Sequence, residues 1–525
     1  MKRFKNIKLV VAFVALFSLL GCKKFLNVEP IDSLSGNNFW RNINDAETFT
    51  LEVYRLFRVG VGIDRPVLLI GDFRHAPIFW PSNAYPRRPD INMMSRGQIK
   101  SIITTPRPTP GTDADRFWTY NAEWDRVDDW TPVYKVIQSA NILYDMVPKI
   151  AENDPTISAA IVKKYQAEAV FMRCMSYFIL LRLYGDVPYY TDPYNEKPLP
   201  RTAHVEVANK CLEELAKIKN DLPWTYADPA NRGVRAMRGS ALALMMHLNM
   251  WCAGFDKKNA EKYYNAVDAL GDELRIEGVE KEHAYELLPL DRTPEIFAGR
   301  TKEGLFEIPN NVNYGESLSN LRKTFFAHVL HEPYFTLNQN SANSEVVYNP
   351  SFLYTIFPES EADGRKELWF DESMYLGTGA FNYFKFFNFA YGQANTTNSV
   401  GNYQIVFRLA DAILLQAEAL AKLSKEAKAI ELLNVVRERG QAGLYPSYNN
   451  YKNSIDDAIY YERCKELMGE GHYYYDLVRT EKIYDGKYTT YPMSYADFLN
   501  GGWTWPINAK ALNNNPFMTL NDFWN

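Results

Sequence analysis

Apolar positions along this chain fall mostly at helical spacing. From Trp130, the residues Tyr134, Ile137, Asn141 and Tyr144 follow at i+4, i+7, i+11 and i+14, one face of a helix. Asp128 or Asp129 is placed to cap its start, and Pro148 is expected to follow its end. A second helix is predicted over Tyr165–Tyr184, with Ala167, Phe171, Cys174, Phe178 and Leu181 on one side. Gly185 suits the residue after its end, and Pro188 blocks continuation. Further helices are predicted at about Val205–Asn220, Gly239–Ala253 and Ala260–Leu274. Near the C-terminus, Leu409–Leu423 and Lys425–Arg439 read as a helical hairpin, with Ser424 as N-cap between them and Gly440 ending the second helix. Ser454 and Asp457 form the ends of a capping box for a helix running towards Met468.

Paired helices of this kind predict a mainly α fold, a tetratricopeptide-like helical-repeat scaffold. Ala167-x-x-x-Phe171 matches a fragment of that repeat, although no clean 34-residue period runs through the chain. Two long stretches break the pattern, about Val59–Arg126 and Ala284–Asn402. Both are rich in Pro, Gly, Asn, Thr and aromatics, and insertions of this length carry function or extra structure.

The N-terminus follows a different pattern. Lys2, Arg3, Lys5 and Lys8 precede twelve uncharged residues, Leu9 to Leu20, and then Gly21-Cys22. The apolar run is too short to span a bilayer and has signal-peptide dimensions. A small residue before Cys is the lipoprotein cleavage pattern, so residues 1–21 are expected to be a signal peptide and Cys22 the lipidated residue. Several acyl chains, at about 0.8 kcal/mol per buried CH₂, give firm membrane anchoring. No other run of the sequence approaches eighteen apolar residues.

Charge and cysteine content narrow the classes. The net charge of −5 becomes −9 once the four basic residues of the signal are removed. An acidic body with no basic stripe is a poor nucleic-acid binder. Four cysteines remain after Cys22, widely spaced. Cys174, Cys252 and Cys464 lie in helical patterns and read as small buried hydrophobes. Aromatics are the outlier: Tyr, Phe and Trp make up 14% of the chain, more than a core alone requires.

Motifs of common enzymes are absent from the sequence: no G-x-S-x-G, H-E-x-x-H or P-loop occurs. Gly377-Thr-Gly379 lacks the third glycine of a nucleotide loop. His328 and His331 could share a helical face, but no third ligand is evident beside them, and a loop or surface pair is expected rather than a metal site. Glycoside hydrolysis needs two carboxylates about 5–10 Å apart. Asp128-Asp129 is better explained by capping, and Glu466 with Glu470 by a solvated or ion-paired helix face. No catalytic residue, metal or cofactor is assigned.

The loop cluster Asp72-Phe73-Arg74-His75 to Phe79-Trp80-Pro81-Ser82-Asn83-Ala84-Tyr85 holds the candidate binding residues: Trp80, Asn83 and Tyr85, with Arg74 as polar neighbour. Flat aromatic faces stack on sugar rings, while amides and guanidiniums meet their hydroxyls. The alternative is that Trp80 staples the loop to the core.

The chain resembles the SusD/RagB family of nutrient-binding outer-membrane lipoproteins. The likeness rests on a series of motifs in order: Cys22 to Pro30, Phe39-Trp40 to Ala46, Trp130-x-x-x-Tyr134, Ala167 to Pro188, Phe407-Arg408-Leu-Ala-Asp411, Glu462-Arg463-x-x-Glu466, Gly471-His472-x-x-x-Asp476 and Trp505-Pro506-Ile507. It implies a SusD-like N-terminal region over 22–315, with helical repeats and the ligand-loop insertion, and a C-terminal region over 316–525. It further implies a non-enzymatic lipoprotein of the outer membrane, exposed at the cell surface. Such a protein would bind an oligosaccharide or other nutrient and deliver it to a SusC-like TonB-dependent transporter. RagB-like relatives handle peptides, which leaves peptide uptake open beside glycan uptake. A surface hydrolase and a pure interaction scaffold are the further alternatives. Trp80-x-x-Asn83 is similar to an aromatic/amide pair of the founding member. Lys23 and Lys24 depart from the acidic residues that follow the lipidated Cys in surface-exported relatives.

Overall fold

In the computed structural model, the described residues are 39–525 except 64, 83–87, 105–123, 155, 311–323, 332–342, 388–401, 448–453 and 514. Cys22, Asn83 and Tyr85 lie outside them. Nine helices of ten or more residues occur among the described residues: α1 Ile43–Phe57, α2 Thr131–Asn153, α3 Ala159–Tyr184, α4 His204–Ile218, α5 Arg238–Phe255, α6 Ala260–Glu273, α7 Leu409–Lys422, α8 Glu426–Arg439 and α9 Ile455–Glu466. Each of α2 to α8 packs on the helix before it in sequence, which is solenoid geometry, and α9 returns onto α7. None is long and apolar enough to cross a membrane.

The local reasons for these helices are visible at their ends. Asn42 caps α1, accepting from the Asn44 N–H at 2.8 Å, while Asp45 accepts from the Asn42 N–H at 3.0 Å. Ser158 caps α3 by accepting from Ile161 at 3.3 Å. Gly185 ends α3 at φ +73°, a conformation that favours glycine. From Ala167 to Tyr184 every residue of α3 is buried, so this helix is central rather than amphipathic, and Phe171 and Phe178 are core residues as expected. Two of its buried charges are ion-paired, Glu168 with Arg235 at 2.8 Å and Arg173 with Glu214 at 2.9 Å, while Arg182 lies over the rings of Phe178 and Tyr475.

Three expectations are corrected. Helix α2 runs through Pro148 to Asn153 instead of ending before it. Proline leaves the Tyr144 carbonyl without its helical donor, and the Gln166 side chain of α3 supplies one at 3.2 Å. Ser424 is not an N-cap. It sits at φ +59°, and its N–H donates to Ala421 while Lys425 donates to Leu420, so the turn is a Schellman motif closing α7. Gly440 ends α8 as expected, in a right-handed conformation, and Gln441 takes the left-handed position at φ +51°. A β-carbon at Gly440 would lie 3.0 Å from the Arg365 guanidinium carbon, so glycine there makes room for a buried arginine. Cys174 and Cys252 are fully buried, whereas Cys464 is only partly so.

Two insertions leave the solenoid. The first joins α1 to α2, and the second joins α6 to α7, which still pack on each other directly. At its neck, β2 (Gly304–Ile308) pairs antiparallel with β4 (Gln404–Arg408), Gly304 opposite Arg408, and β4 runs straight into α7. The two insertions are joined by β1 (Ile78–Phe79) and β3 (Val347–Tyr348), with Ile78 opposite Tyr348. A single lobe is therefore built from both.

Candidate functional site

Trp80 follows β1 directly. Its backbone N–H donates to Asn92 Oδ1 at 2.9 Å, and Asn349 donates to the Pro77 carbonyl at 2.8 Å on the partner strand. The indole is half-buried against the core, and its Nε1 meets no acceptor among the described residues. Trp80 is thus anchored at its base, and its indole N–H is buried without an acceptor among the described residues.

Arg74 is not beside it. The guanidinium is 2% exposed and donates to the carbonyls of Trp503 and Thr504 at 2.9 and 3.0 Å and to Gly502, while it stacks 4.9 Å from the Tyr474 ring. That placement corrects the expectation of a polar neighbour for a ligand: every donor direction faces the interior. The rest of the motif is equally internal. His75, at φ +52°, meets the Tyr491 carbonyl through Nδ1 at 2.7 Å and stacks on Tyr474; burial pushes its ring down to about 4. Asp72 accepts from the Gly471 N–H at 2.6 Å, and burial pushes its carboxyl up to about 8. A β-carbon at Gly71 would fall 2.0 Å from the Gly471 carbonyl, so the two chain segments touch backbone to backbone. Residues 71–75 lock the first insertion to the C-terminal segment.

The structure adds two aromatics that the sequence did not mark. Tyr354, 46% exposed, stacks on Tyr375 with centroids 4.3 Å apart and planes 8° apart. The Tyr375 hydroxyl donates to the Phe357 carbonyl at 2.5 Å, which fixes the pair. Beyond Tyr375 the chain turns at Gly377, φ +65°, where a β-carbon would lie 2.9 Å from Pro350 and 3.8 Å from the Phe79 ring. The strap carrying Tyr375 therefore borders the strand that carries Trp80. No motif or spacing joins these residues in the sequence.

Glu466 and Glu470 are ion-paired but not solvated. Glu466 accepts from Arg365 at 3.0 Å, Arg408 at 2.7 Å and Arg439, and both acids are buried. Burial alone would raise the Glu466 carboxyl; Arg439, Arg408 and Arg365 outweigh it and hold the group well below its usual range. Glu470 meets Arg408 at 2.7 Å and Lys385 at 2.5 Å, and burial pushes the Lys385 ammonium down to about 8. Arg408 also reaches Glu303 at 2.8 Å, and Arg365 reaches Asp363 and Glu462 at 2.8 and 2.7 Å. Lobe and solenoid are joined by one ionic network.

Histidines were weighed as metal ligands. His247, Asp411 and His472 lie within 4.8 Å of one another. Asp411 is already engaged on both oxygens, with His247 at 2.6 Å and Arg463 at 2.9 Å, and the guanidinium opposes a cation there. His328 and His331 are buried rather than at the surface, His328 on Glu345 at 3.0 Å and His331 on the Ala380 carbonyl at 3.2 Å.

Residues 337–524 match the model of the SusD family, and residues 111–247 match one described as starch-binding, associating with outer membrane. The chain is 39% identical to a SusD homolog from Bacteroides thetaiotaomicron, whose crystal structure superposes with a TM-score of 0.79 over 93% of this chain and 100% of that one. The chain belongs to the SusD/RagB family. A SusD-like protein of Formosa agariphila is 24% identical over 99% of both chains. A laminarin-binding SusD-like protein shares the fold, with a TM-score of 0.66 and 19% identity over 92% of this chain and 99% of that one.

In this SusD-family chain, the residues that carried the resemblance are the internal skeleton. Arg408, Glu462, Glu466, Arg463 and Asp476 are all buried and paired. The family motifs thus build the frame, and the exposed aromatics of the lobe are the surface that differs from it.

Proposed function

We propose that this protein captures an oligosaccharide on the aromatic rim of its insertion lobe and delivers it, without chemistry of its own, to a SusC-like TonB-dependent transporter of the outer membrane. The observation that carries the reading is the stack of exposed Tyr354, on the short helix Pro350–Ile356, upon half-buried Tyr375, on the strap that borders the Trp80 strand. An aromatic already fixed by packing loses little conformational freedom on binding. Trp80 is the central contact, and Asn83 and Tyr85, a few residues further along the chain, extend it. Cys22 supplies the lipid anchor that holds the protein beside its transporter, which raises their effective concentration.

The test uses the purified protein from Cys22 onward with panels of oligosaccharides and of short peptides, followed by titration calorimetry and product analysis. A saccharide should bind and be recovered intact, and Trp80→Ala should weaken it by about 1–3 kcal/mol, as for bases on aromatic platforms, with melting unchanged. Retention of peptides alone would replace the nutrient class with peptides, and release of shorter products would overturn the non-enzymatic reading. Affinity purification from outer membranes in mild detergent should recover the transporter; its repeated absence would refute the partnership.

A further inference from the structure

A second groove lies on the helical scaffold, between the first turn of α2, the segment after α3 and the C-terminal segment around Met518. Its volume is about 300 Å³. It shares no residue with the aromatic rim of the lobe.

Tyr134 and Tyr190 line it with nearly parallel rings, 9° between planes and centroids 6.0 Å apart. That separation exceeds face-to-face contact, so the rings are offset and form a stepped platform. Trp130 stands edge-on to Tyr134 at 5.4 Å.

The platform is braced from behind. The Tyr134 hydroxyl donates to the Pro188 carbonyl at 2.7 Å, and the Tyr177 hydroxyl bonds both the carbonyl and the N–H of Tyr190, at 3.0 and 2.9 Å. Across the groove, Asn515 holds the Leu199 carbonyl at 2.8 Å.

The polar groups at the mouth are open. Among the described residues no hydrogen bond reaches the Tyr190 hydroxyl, and burial is the sole influence that raises it, to about 12. Asn195 uses its amide nitrogen on the Lys197 carbonyl at 3.0 Å, and no hydrogen bond among the described residues occupies its side-chain oxygen. Lys197 is exposed, forms no ion pair with the described residues and is the only charged residue lining the groove.

We infer that this groove is a second saccharide site. It takes a short stretch of glycan chain whose pyranose faces lie on Tyr134 and Tyr190 and whose anionic substituent, a uronate or sulfate, meets Lys197. Braced rings supply the apolar face at low entropic cost, the hydroxyl and amide serve sugar hydroxyls, and a single unopposed ammonium selects for negative charge. A purely apolar partner would leave those three polar groups desolvated and unpaired.

This inference rests on the reading of the protein as a saccharide binder, and the test separates the two. The probes are hexasaccharides of β-1,4-glucan, β-1,3-glucan and α-1,4-galacturonan, titrated into the protein from Cys22 onward and into Trp80→Ala, Tyr190→Ala and Lys197→Ala variants, with melting of each. The galacturonan probe should bind at millimolar strength, persist in Trp80→Ala, and weaken at least fivefold in Tyr190→Ala and threefold in Lys197→Ala. Added salt should weaken it further. Where Tyr190→Ala also melts lower, Lys197→Ala decides, since an exposed lysine does not touch the fold. Binding that is lost in Trp80→Ala and indifferent to Tyr190 and Lys197 overturns the groove and leaves the lobe reading standing. If neither glucan probe is weakened by Trp80→Ala while the galacturonan is lost with Tyr190 and Lys197, the lobe reading is overturned and the groove stands. Failure of every probe to bind the parent protein overturns both.

Discussion

Replacing Glu466 by Gln tests the ionic joint between lobe and solenoid. The substitution keeps the volume and one acceptor but removes a buried charge that three guanidiniums share. Arg365 retains Asp363 and Glu462, and Arg408 retains Glu303 and Glu470. Arg439 is left with Glu303 alone, at 3.8 Å. One guanidinium, 5% exposed, thus loses its close partner. Breaking a buried pair from one side costs about 3–5 kcal/mol, because the stranded charge stays desolvated. An unfolding entropy of about 2.1 cal/mol/K per residue over the full chain gives roughly 1 °C per kcal/mol, so the expected fall in Tm is about 3–5 °C by calorimetry at neutral pH. The carboxyl lies below its unfolded value, so its stabilisation is present above the unfolded pKa, near 4.5, and lost as pH falls through the folded one. The gap between parent and variant should therefore narrow on acidification below about pH 4. A variant that melts within half a degree of the parent at pH 7, or a gap that does not change with acid, would refute the argument.

Three further outcomes are expected. Phe171→Ala removes a fully buried ring from α3 and should cost about 3–5 kcal/mol, read as a Tm fall of a few degrees. Asp72→Asn addresses the opposite sign: a carboxyl raised to about 8 in the fold binds protons that the unfolded chain has released, so the parent loses stability as pH rises from about 4 to 8. The variant should gain on the parent by about 2 °C or more between pH 5 and 8.5, and a constant difference across that range would reject the assignment. Cys22→Ala should release the protein from membranes in cells lacking the transporter and abolish acyl labelling; persistence in the outer-membrane fraction would end the anchor hypothesis.

What the sequence made legible was local. The stop at Gly185 and the buried face through Phe171 and Phe178 each depend on residues within a turn or two, whereas α3 begins at Ala159, capped by Ser158, rather than at the expected Tyr165. The helix ends at Pro148 and Ser424 misled for different reasons: a distant group lets α2 run through the proline, while a local Schellman turn at Ser424 closes α7 instead of opening α8. Gln166 on another helix satisfies the Tyr144 carbonyl, and Arg365 from an insertion occupies the space over Gly440. Glu466 and Glu470 are ion-paired as expected, but α9 ends at Glu466, so Glu470 lies beyond the helix, and the burial of both carboxylates was not legible. Their partners Arg365, Lys385 and Arg408 come from residues up to about a hundred positions away. At the candidate site, Trp80 was legible as an aromatic in a stiff loop. Tyr354 and Tyr375 were not, because the stack exists only once the strap at Gly377 folds against Pro350.

The placement of Trp80 follows from these long-range links. The strand that carries it pairs with β3 of the other insertion, and residues 71–75 before it are fixed to Gly471 and to the carbonyls of 502–504. Gly471 immediately follows Glu470, whose carboxylate is held by Arg408 and Lys385. Arg408 ends β4 and leads into α7 of the solenoid. A continuous chain of buried bonds therefore runs from the repeat helices through the ionic network to the base of the aromatic loop. The half-buried indole of Trp80 stands at the end of that chain. On the proposed function, substitutions at Trp80, Tyr354 or Tyr375 should change what is bound, while those at Glu466 or Arg408 should change whether the aromatic loop is held in place at all.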